Sequence, residues 1–111
     1  MRRGDVFFAN LDPTQGAETQ KTRPVVIVSN NAANRAGALV TVLPLTSNVT
    51  RIFPFEVKLP ASDTGLGKDS KAMAQQVRTL DKGRLAQSAS GQVPAKRMQQ
   101  VDAALRLHLS L

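Results

Sequence analysis

Apolar residues come in short bursts along this chain, each closed by a polar turn, and that rhythm predicts strands. "DVFFANL" (5–11) is rich in β-formers and runs into Asp12-Pro13, a turn signal. "DPTQGAETQKT" (12–22) is polar, carries Pro13 and Gly16, and reads as a loop. "PVVIVS" (24–29) is apolar at successive positions, as expected of a central strand buried on both faces. "NNAANRAG" (30–37) is a connection with room for a short helical turn, and "ALVTVLPLT" (38–46) is a long strand. Pro44 lacks the N–H that a ladder needs, so a bulge or an edge position is predicted there. "FPFEVKL" (53–59) alternates Phe55, Val57 and Leu59 with Glu56 and Lys58, the pattern of a half-buried strand with the charges outward. "PASDTGLGKDS" (60–70) reads as a second exposed loop. "KAMAQQVRTL" (71–80) could be helical by propensity; its strand neighbours assign it as a strand.

The last segment changes period. In "GQVPAKRMQQVDAALRLHLSL", Pro94 suits a first helical turn, and Met98, Val101, Leu105 and Leu109 recur at helical spacing. A C-terminal amphipathic helix follows. A small antiparallel sheet with one helix makes an α+β or all-β barrel-like domain, a single unit over residues 1–111.

Charge then narrows the partners. Fifteen Lys and Arg against eight Asp and Glu leave a formal charge of +7, which attracts polyanions, nucleic acid first among them. With no cysteine, thiolate zinc sites, disulfides and cysteine nucleophiles are excluded, and a reducing, cytoplasmic compartment fits. No apolar run approaches membrane-spanning length, and "MRRGDVFFANLD" turns polar too early for a signal peptide.

Few catalytic chemistries survive. The single histidine, His108, lies inside the helical pattern, so a histidine-pair ribonuclease mechanism is unavailable and a Ser-His-Asp triad is not expected. Asp5, Asp12, Asp63, Asp69, Asp81 and Asp102 are scattered, unlike the clustered carboxylates of a two-metal nuclease. Gly65 and Gly67 lack the Lys-Ser/Thr of a phosphate loop. Arginine and hydroxyl groups remain. Arg23 precedes Pro24, which favours extended backbone, and its fork fits two phosphate oxygens at once. Thr46, Ser47 and Asn48 close the long strand and offer uncharged donors. If the two strands are neighbours, Arg23 and Thr46 converge into an electrostatic trap for a phosphorane-like transition state. The alternative is a solvated Arg23 paired with Asp12 or Glu18 beside a turn that merely ends a strand.

The chain resembles the MazF/PemK toxin family, the sequence-specific endoribonucleases of toxin–antitoxin modules. The resemblance is carried in order by "RGDVFFANLDPTQGAE", "RPVVIVSNNAAN", "VLPLTSN", "AQQVRTLDKGRL" and "VDAALRLHL". It implies an α+β, mostly β fold: an SH3-like barrel of antiparallel strands with a C-terminal helix. It implies a homodimer, single-stranded RNA as substrate, a cognate acidic antitoxin of MazE type, and operator DNA reached only through that antitoxin. It also implies a reaction without metal or other cofactor, in which the substrate's 2′-OH attacks the adjacent phosphate. Arg23 and Thr46 are the implied catalytic pair, and Glu18, Lys21, Ser47, Asn48, Gln75, Gln76 and Arg78 the implied RNA-binding set. Gln75 stands where many members carry an acid, so the general base is not identified. Without Trp or Tyr, base stacking falls to arginine planes or to Phe53 and Phe55. A gyrase-poisoning toxin of the same fold and a non-catalytic RNA-binding barrel are the competing functions.

Overall fold

A computed structural model describes all of residues 1–111. The chain runs through β1 (Asp5–Asn10), β2 (Thr22–Ile27), α1 (Asn31–Ala36), β3 (Leu39–Thr46), β4 (Glu56–Leu59), the single-turn α2 (Ala61–Thr64), β5 (Ser70–Met73), β6 (Arg78–Asp81), β7 (Gly91–Gln92) and α3 (Ala95–Leu109). The strands form one curled antiparallel sheet in the order β4-β5-β3-β2-β1-β7, with β6 also paired to β3.

The sheet has an apolar layer on each face, which is why β2 and β3 read as continuous apolar runs. Val6, Val26, Leu43, Leu45, Val57, Leu59 and Ala72 pack against Met98, Val101 and Ala104 of α3. Phe7, Ala9, Leu11, Val25, Ile27, Val40, Val42 and Leu80 fill the opposite side. Successive residues of a strand alternate faces, so one sheet divides a single sequence run between two cores.

Four expectations need correction. Pro44 lies in the interior strand, buried, not at an edge. The ladder from β3 to β6 covers Leu39–Val42 and that to β5 covers Leu45–Thr46, so Pro44 falls where β3 changes partner and a missing N–H breaks no continuous ladder. The 71–80 segment is not one strand. A 3₁₀ turn at Ala74–Gln76 splits it into β5 and β6. The predicted loop over 60–70 contains α2, whose end is pressed so close to β7 that a Cβ on Gly65 would meet the Ser90 carbonyl oxygen at 2.0 Å. The strand predicted over 53–59 begins only at Glu56. Val57 and Leu59 face the α3 core as expected, but Glu56, expected outward in solvent, is buried. In α3 the inward side chains are Met98, Val101 and Ala104, while Leu109 is exposed.

Candidate active site

β1, β2, β3, β5 and β4 bring one residue each to a common row across the sheet. Ala9 pairs with Arg23 between β1 and β2. The β2–β3 ladder sets Val25 opposite Pro44, and the same register carried two residues further sets Arg23 opposite Thr46. Thr46 in turn pairs with Lys71 of β5, and Lys71 with Lys58 of β4. Directly opposed residues share a face, so Arg23, Thr46 and Lys71 stand side by side. The face is the one that carries Val25, Ile27, Val40 and Val42 further along the strands.

The guanidinium of Arg23 is exposed and forms no ion pair. The chain's ion pairs are Arg3–Asp102, Lys71–Glu56 and Arg97–Asp63. Asp12 and Glu18, the acids that could have neutralised Arg23, are engaged elsewhere: Asp12 accepts the Lys21 N–H and Glu18 the Gln15 N–H. Arg23 makes one long hydrogen bond, Nε to the Gln20 carbonyl at 3.3 Å. The Thr46 hydroxyl is half-buried and accepts the Asn48 N–H at 3.2 Å, which fixes its oxygen at the strand end and leaves its proton free.

These groups line a cavity of about 390 Å³ together with Glu18, Thr19, Asn48, Lys71 and Met73. Glu18 is the only carboxylate in that lining. A second cavity of about 630 Å³ adjoins it through Glu18 and Thr19 and is lined by Gln75, Gln76, Val77 and Arg78. On the other flank Arg23 and Thr46 open onto a third hollow with Phe8, Ser47 and Lys68. The three form a groove with the Arg23–Thr46–Lys71 row near its middle.

Beneath the row lies the buried Glu56. Burial, the largest influence, pushes its carboxyl up. The Phe53 N–H, the Gln75 amide and the Lys71 ammonium together outweigh that and hold it below its ordinary value of 4.5. Its Oε1 accepts Phe53 N–H and Lys71 Nζ, both at 2.9 Å, and its Oε2 accepts Gln75 Nε2 at 2.6 Å. The ionised carboxylate fixes the orientation of the Gln75 amide, whose Oε1 is buried without a partner.

Of the residues named from sequence, Arg23, Thr46, Asn48, Glu18, Ser47, Gln75, Gln76 and Arg78 all line this groove. Lys21 does not. It sits at φ 68 with its N–H on Asp12, and its side chain lines none of the three hollows. His108 is exposed beside Phe55, ring centroids 6.2 Å apart, and lines none of the three hollows. Phe53 stacks on Phe55 at 5.3 Å, with the Arg51 guanidinium 4.5 Å and the Lys71 ammonium 6.0 Å from its ring centroid. Sequence reasoning missed Glu56 and Lys71. Counting register outward from Thr46 would have reached Lys71 once β3 and β5 were taken as partners.

Known proteins resemble the chain along its whole length. Residues 2–109 match the family described as PemK-like, MazF-like toxin of type II toxin-antitoxin system. The chain belongs to that family. It is 43% identical to Endoribonuclease MazF9 of Mycobacterium tuberculosis, over all of this chain and 98% of the relative. It is 38% identical to Endoribonuclease MazF of Staphylococcus saprophyticus, over all of this chain and 92% of the relative. Among solved structures it resembles a mycobacterial endoribonuclease in complex with its cognate antitoxin, with TM-score 0.83, 32% identity, and coverage of 100% and 96% of the two chains. It also resembles MazF from Deinococcus radiodurans, with TM-score 0.85, 29% identity, and coverage of 100% and 97%. These likenesses bear out the curled, mostly β sheet with a C-terminal helix.

Proposed function

We propose that this MazF-family toxin is a sequence-specific endoribonuclease that cleaves single-stranded RNA through the Arg23–Thr46 row. The observation that carries the reading is an arginine without an anionic partner, beside a fixed hydroxyl, in a groove of a strongly basic protein. The names of its relatives support endoribonuclease activity.

In the proposed reaction the 2′-OH of the substrate attacks the adjacent phosphorus, and the P–O5′ bond breaks. The products are a 2′,3′-cyclic phosphate and a 5′-OH, with the 2′ proton lost and one gained by the leaving oxygen. The arginine fork bridges two non-bridging oxygens and neutralises charge that grows in the pentacoordinate state. A guanidinium offers donors and no acceptor, so Arg23 is no general base. Its donors can instead assist the departing 5′-oxygen. Thr46 donates to the phosphate or orients the 2′-OH. Gln75 carries no titratable group, so the base is not at that position. Asn48, Ser47, Glu18, Gln76 and Arg78 hold the flanking nucleotides, in a reaction that takes no metal.

The toxin acts in the cytoplasm as a homodimer. Exposed Ile52 and Phe53 on one loop lie toward exposed Leu107 and Leu109 on α3, joined through the Phe55–His108 contact, and an apolar patch of this kind favours a second copy. An acidic antitoxin, complementary to the +7 charge, covers the groove and excludes RNA. No helix of the chain is long and apolar enough to cross a membrane.

The test is brief digestion of a long RNA in EDTA, followed by sequencing of the new 5′ ends. Discrete cuts at one short motif, with 5′-OH ends, are expected. Binding without cuts would leave a non-catalytic RNA-binding barrel, and neither binding nor cuts would favour the gyrase-poisoning alternative.

A further inference from the structure

Lys71 shares the row with Arg23 and Thr46 and lines the same cavity, yet nothing in the proposed chemistry uses it. Neighbouring strands lie about 4.8 Å apart, so Lys71 flanks Thr46 from the β5 side much as Arg23 flanks it from the β2 side. Its ammonium has three N–H donors. The Arg51 carbonyl takes one at 2.7 Å and Glu56 Oε1 takes another at 2.9 Å. No acceptor in the chain takes the third, and the nearest aromatic face, that of Phe53, lies 6.0 Å from the ammonium. A surface lysine would sweep through many rotamers, but this side chain is 11% exposed and held at its tip. Glu56, 2% exposed at its side chain, is the anchor, and its other oxygen holds Gln75 at the edge of the adjoining cavity.

We propose that Lys71 is a further substrate-binding residue, a phosphate ligand on the β5 side of Thr46, and that Glu56 is the positioning residue that aims it. The proposal rests on the reading of the row as an RNA-cleaving site. The ligand is an RNA phosphodiester. Holding the ammonium by two hydrogen bonds removes most of its rotamer freedom before RNA arrives, so the third donor binds at little further entropic cost. The same carboxylate sets a donor in the phosphate cavity and an amide in its neighbour, which couples phosphate placement to the geometry of the adjoining cavity.

The test uses a single-stranded RNA oligonucleotide bearing a cleavage motif mapped with the wild-type protein, with a 2′-deoxy sugar at the attacking position so that it binds without reacting. Affinity is read by fluorescence anisotropy across a series of KCl concentrations. For Lys71→Met, Kd should rise about tenfold and the slope of log Kd against log salt should shrink by about 0.7, the loss of one phosphate contact on a single strand. Lys71→Arg should keep the slope. Lys71→Met with Glu56→Gln removes both charges together, leaves neither one buried alone, and should show the same loss of slope. A lowered melting temperature with wild-type slope and Kd would make Lys71 structural only and overturn the proposal.

A second measurement needs no Lys71 variant. In wild-type protein labelled with ¹⁵N-lysine, the Lys71 ammonium signal should shift when the oligonucleotide binds; an unmoved signal rejects the contact. In Glu56→Gln that signal should broaden through faster exchange with water and affinity should fall several-fold. A sharp signal with unchanged affinity removes Glu56 from the positioning role. Failure of the nuclease reading itself would look different: the wild-type protein would not cut RNA at all.

Discussion

In the cavity of Arg23 and Thr46 the arginine has one long hydrogen bond, 3.3 Å to a carbonyl, and the hydroxyl keeps its proton free. In the adjoining cavity Arg78 and Gln76 are tied to backbone, and Gln75 is tied to Glu56 through its amide nitrogen. Arg78 donates to the Leu11 carbonyl at 3.0 Å, and Gln76 accepts the Thr19 N–H at 2.6 Å. The two regions touch at Glu18 and Thr19 and carry similar side chains, but their bonding differs. Donors without partners are available to a charge that appears only in the substrate, whereas donors fastened to backbone set the shape of a wall. On the proposed function, catalysis therefore belongs to the first cavity and positioning of the flanking nucleotides to the second.

The largest effect should come from the free arginine. Arg23→Ala is expected to lower the cleavage rate by about 10³-fold while shifting stability by no more than about 0.5 kcal/mol, since an exposed group with no ion pair supports little of the fold. Arg23→Lys should also be poor because a point charge lacks the fork. Single-turnover cleavage and thermal unfolding, measured together, check both halves. Wild-type rates in Arg23→Ala would remove the distinction between the cavities. Thr46→Ala should cost about 10²-fold, with Thr46→Ser recovering most of it. The serine keeps both the free proton and the oxygen that accepts the Asn48 N–H. Equal rates for the two variants would show that the hydroxyl does not act.

The tied cavity should respond in the opposite way. Arg78→Ala leaves the Leu11 carbonyl without its donor, so about 1 kcal/mol of stability should go with the RNA contact. Its mark on kinetics should be a raised KM with kcat held within a few-fold. Gln76→Ala frees the Thr19 N–H and with it the 12–21 segment. A few-fold weakening of binding and a broadened cleavage motif are expected, read from sequenced 5′ ends. A collapse of kcat in either variant would place chemistry in the second cavity.

How far the sequence revealed this site follows from what each residue's signal depends on. Arg23 was legible because Pro24 and the apolar run behind it fix the local backbone. Thr46 was legible because it ends a long strand, and α3 because its period changes. Their convergence needed only that β2 and β3 be neighbours, which two largely apolar strands make natural. The break at Ala74–Gln76 was not legible, since "AQQ" carries no Gly or Pro and the turn is imposed by β3 passing from one partner to the other. Nor was the burial of Glu56. The alternation in "FEVKL" gave the correct face, but that face is roofed by Lys71 and Gln75, which come from a strand and a turn some fifteen or more residues later. Local pattern reports which side a residue is on and says nothing of what long-range packing lays over it.

The smallest predicted effect isolates that buried carboxylate. Glu56 carries a lowered carboxyl pKa in the folded chain because Phe53, Gln75 and Lys71 together outweigh the cost of burial. A carboxylate of this kind contributes stability that is present above its ordinary value of 4.5 and is lost as pH falls through the lowered folded value. Acid unfolding of the wild type mixes this group with every other carboxylate, so the useful quantity is a difference. The other acids are common to the wild type and Glu56→Gln, and their contributions cancel to first order when the two melting curves are compared at each pH. Above its ordinary value of 4.5 the gap between the proteins should be constant, and as pH falls from there through the lowered folded value it should narrow as the wild type loses what the glutamine never had. A gap that stays constant through that range would mean that the Lys71–Glu56–Gln75 set does not favour the charged form. Glu56 would then hold Lys71 and Gln75 by shape alone.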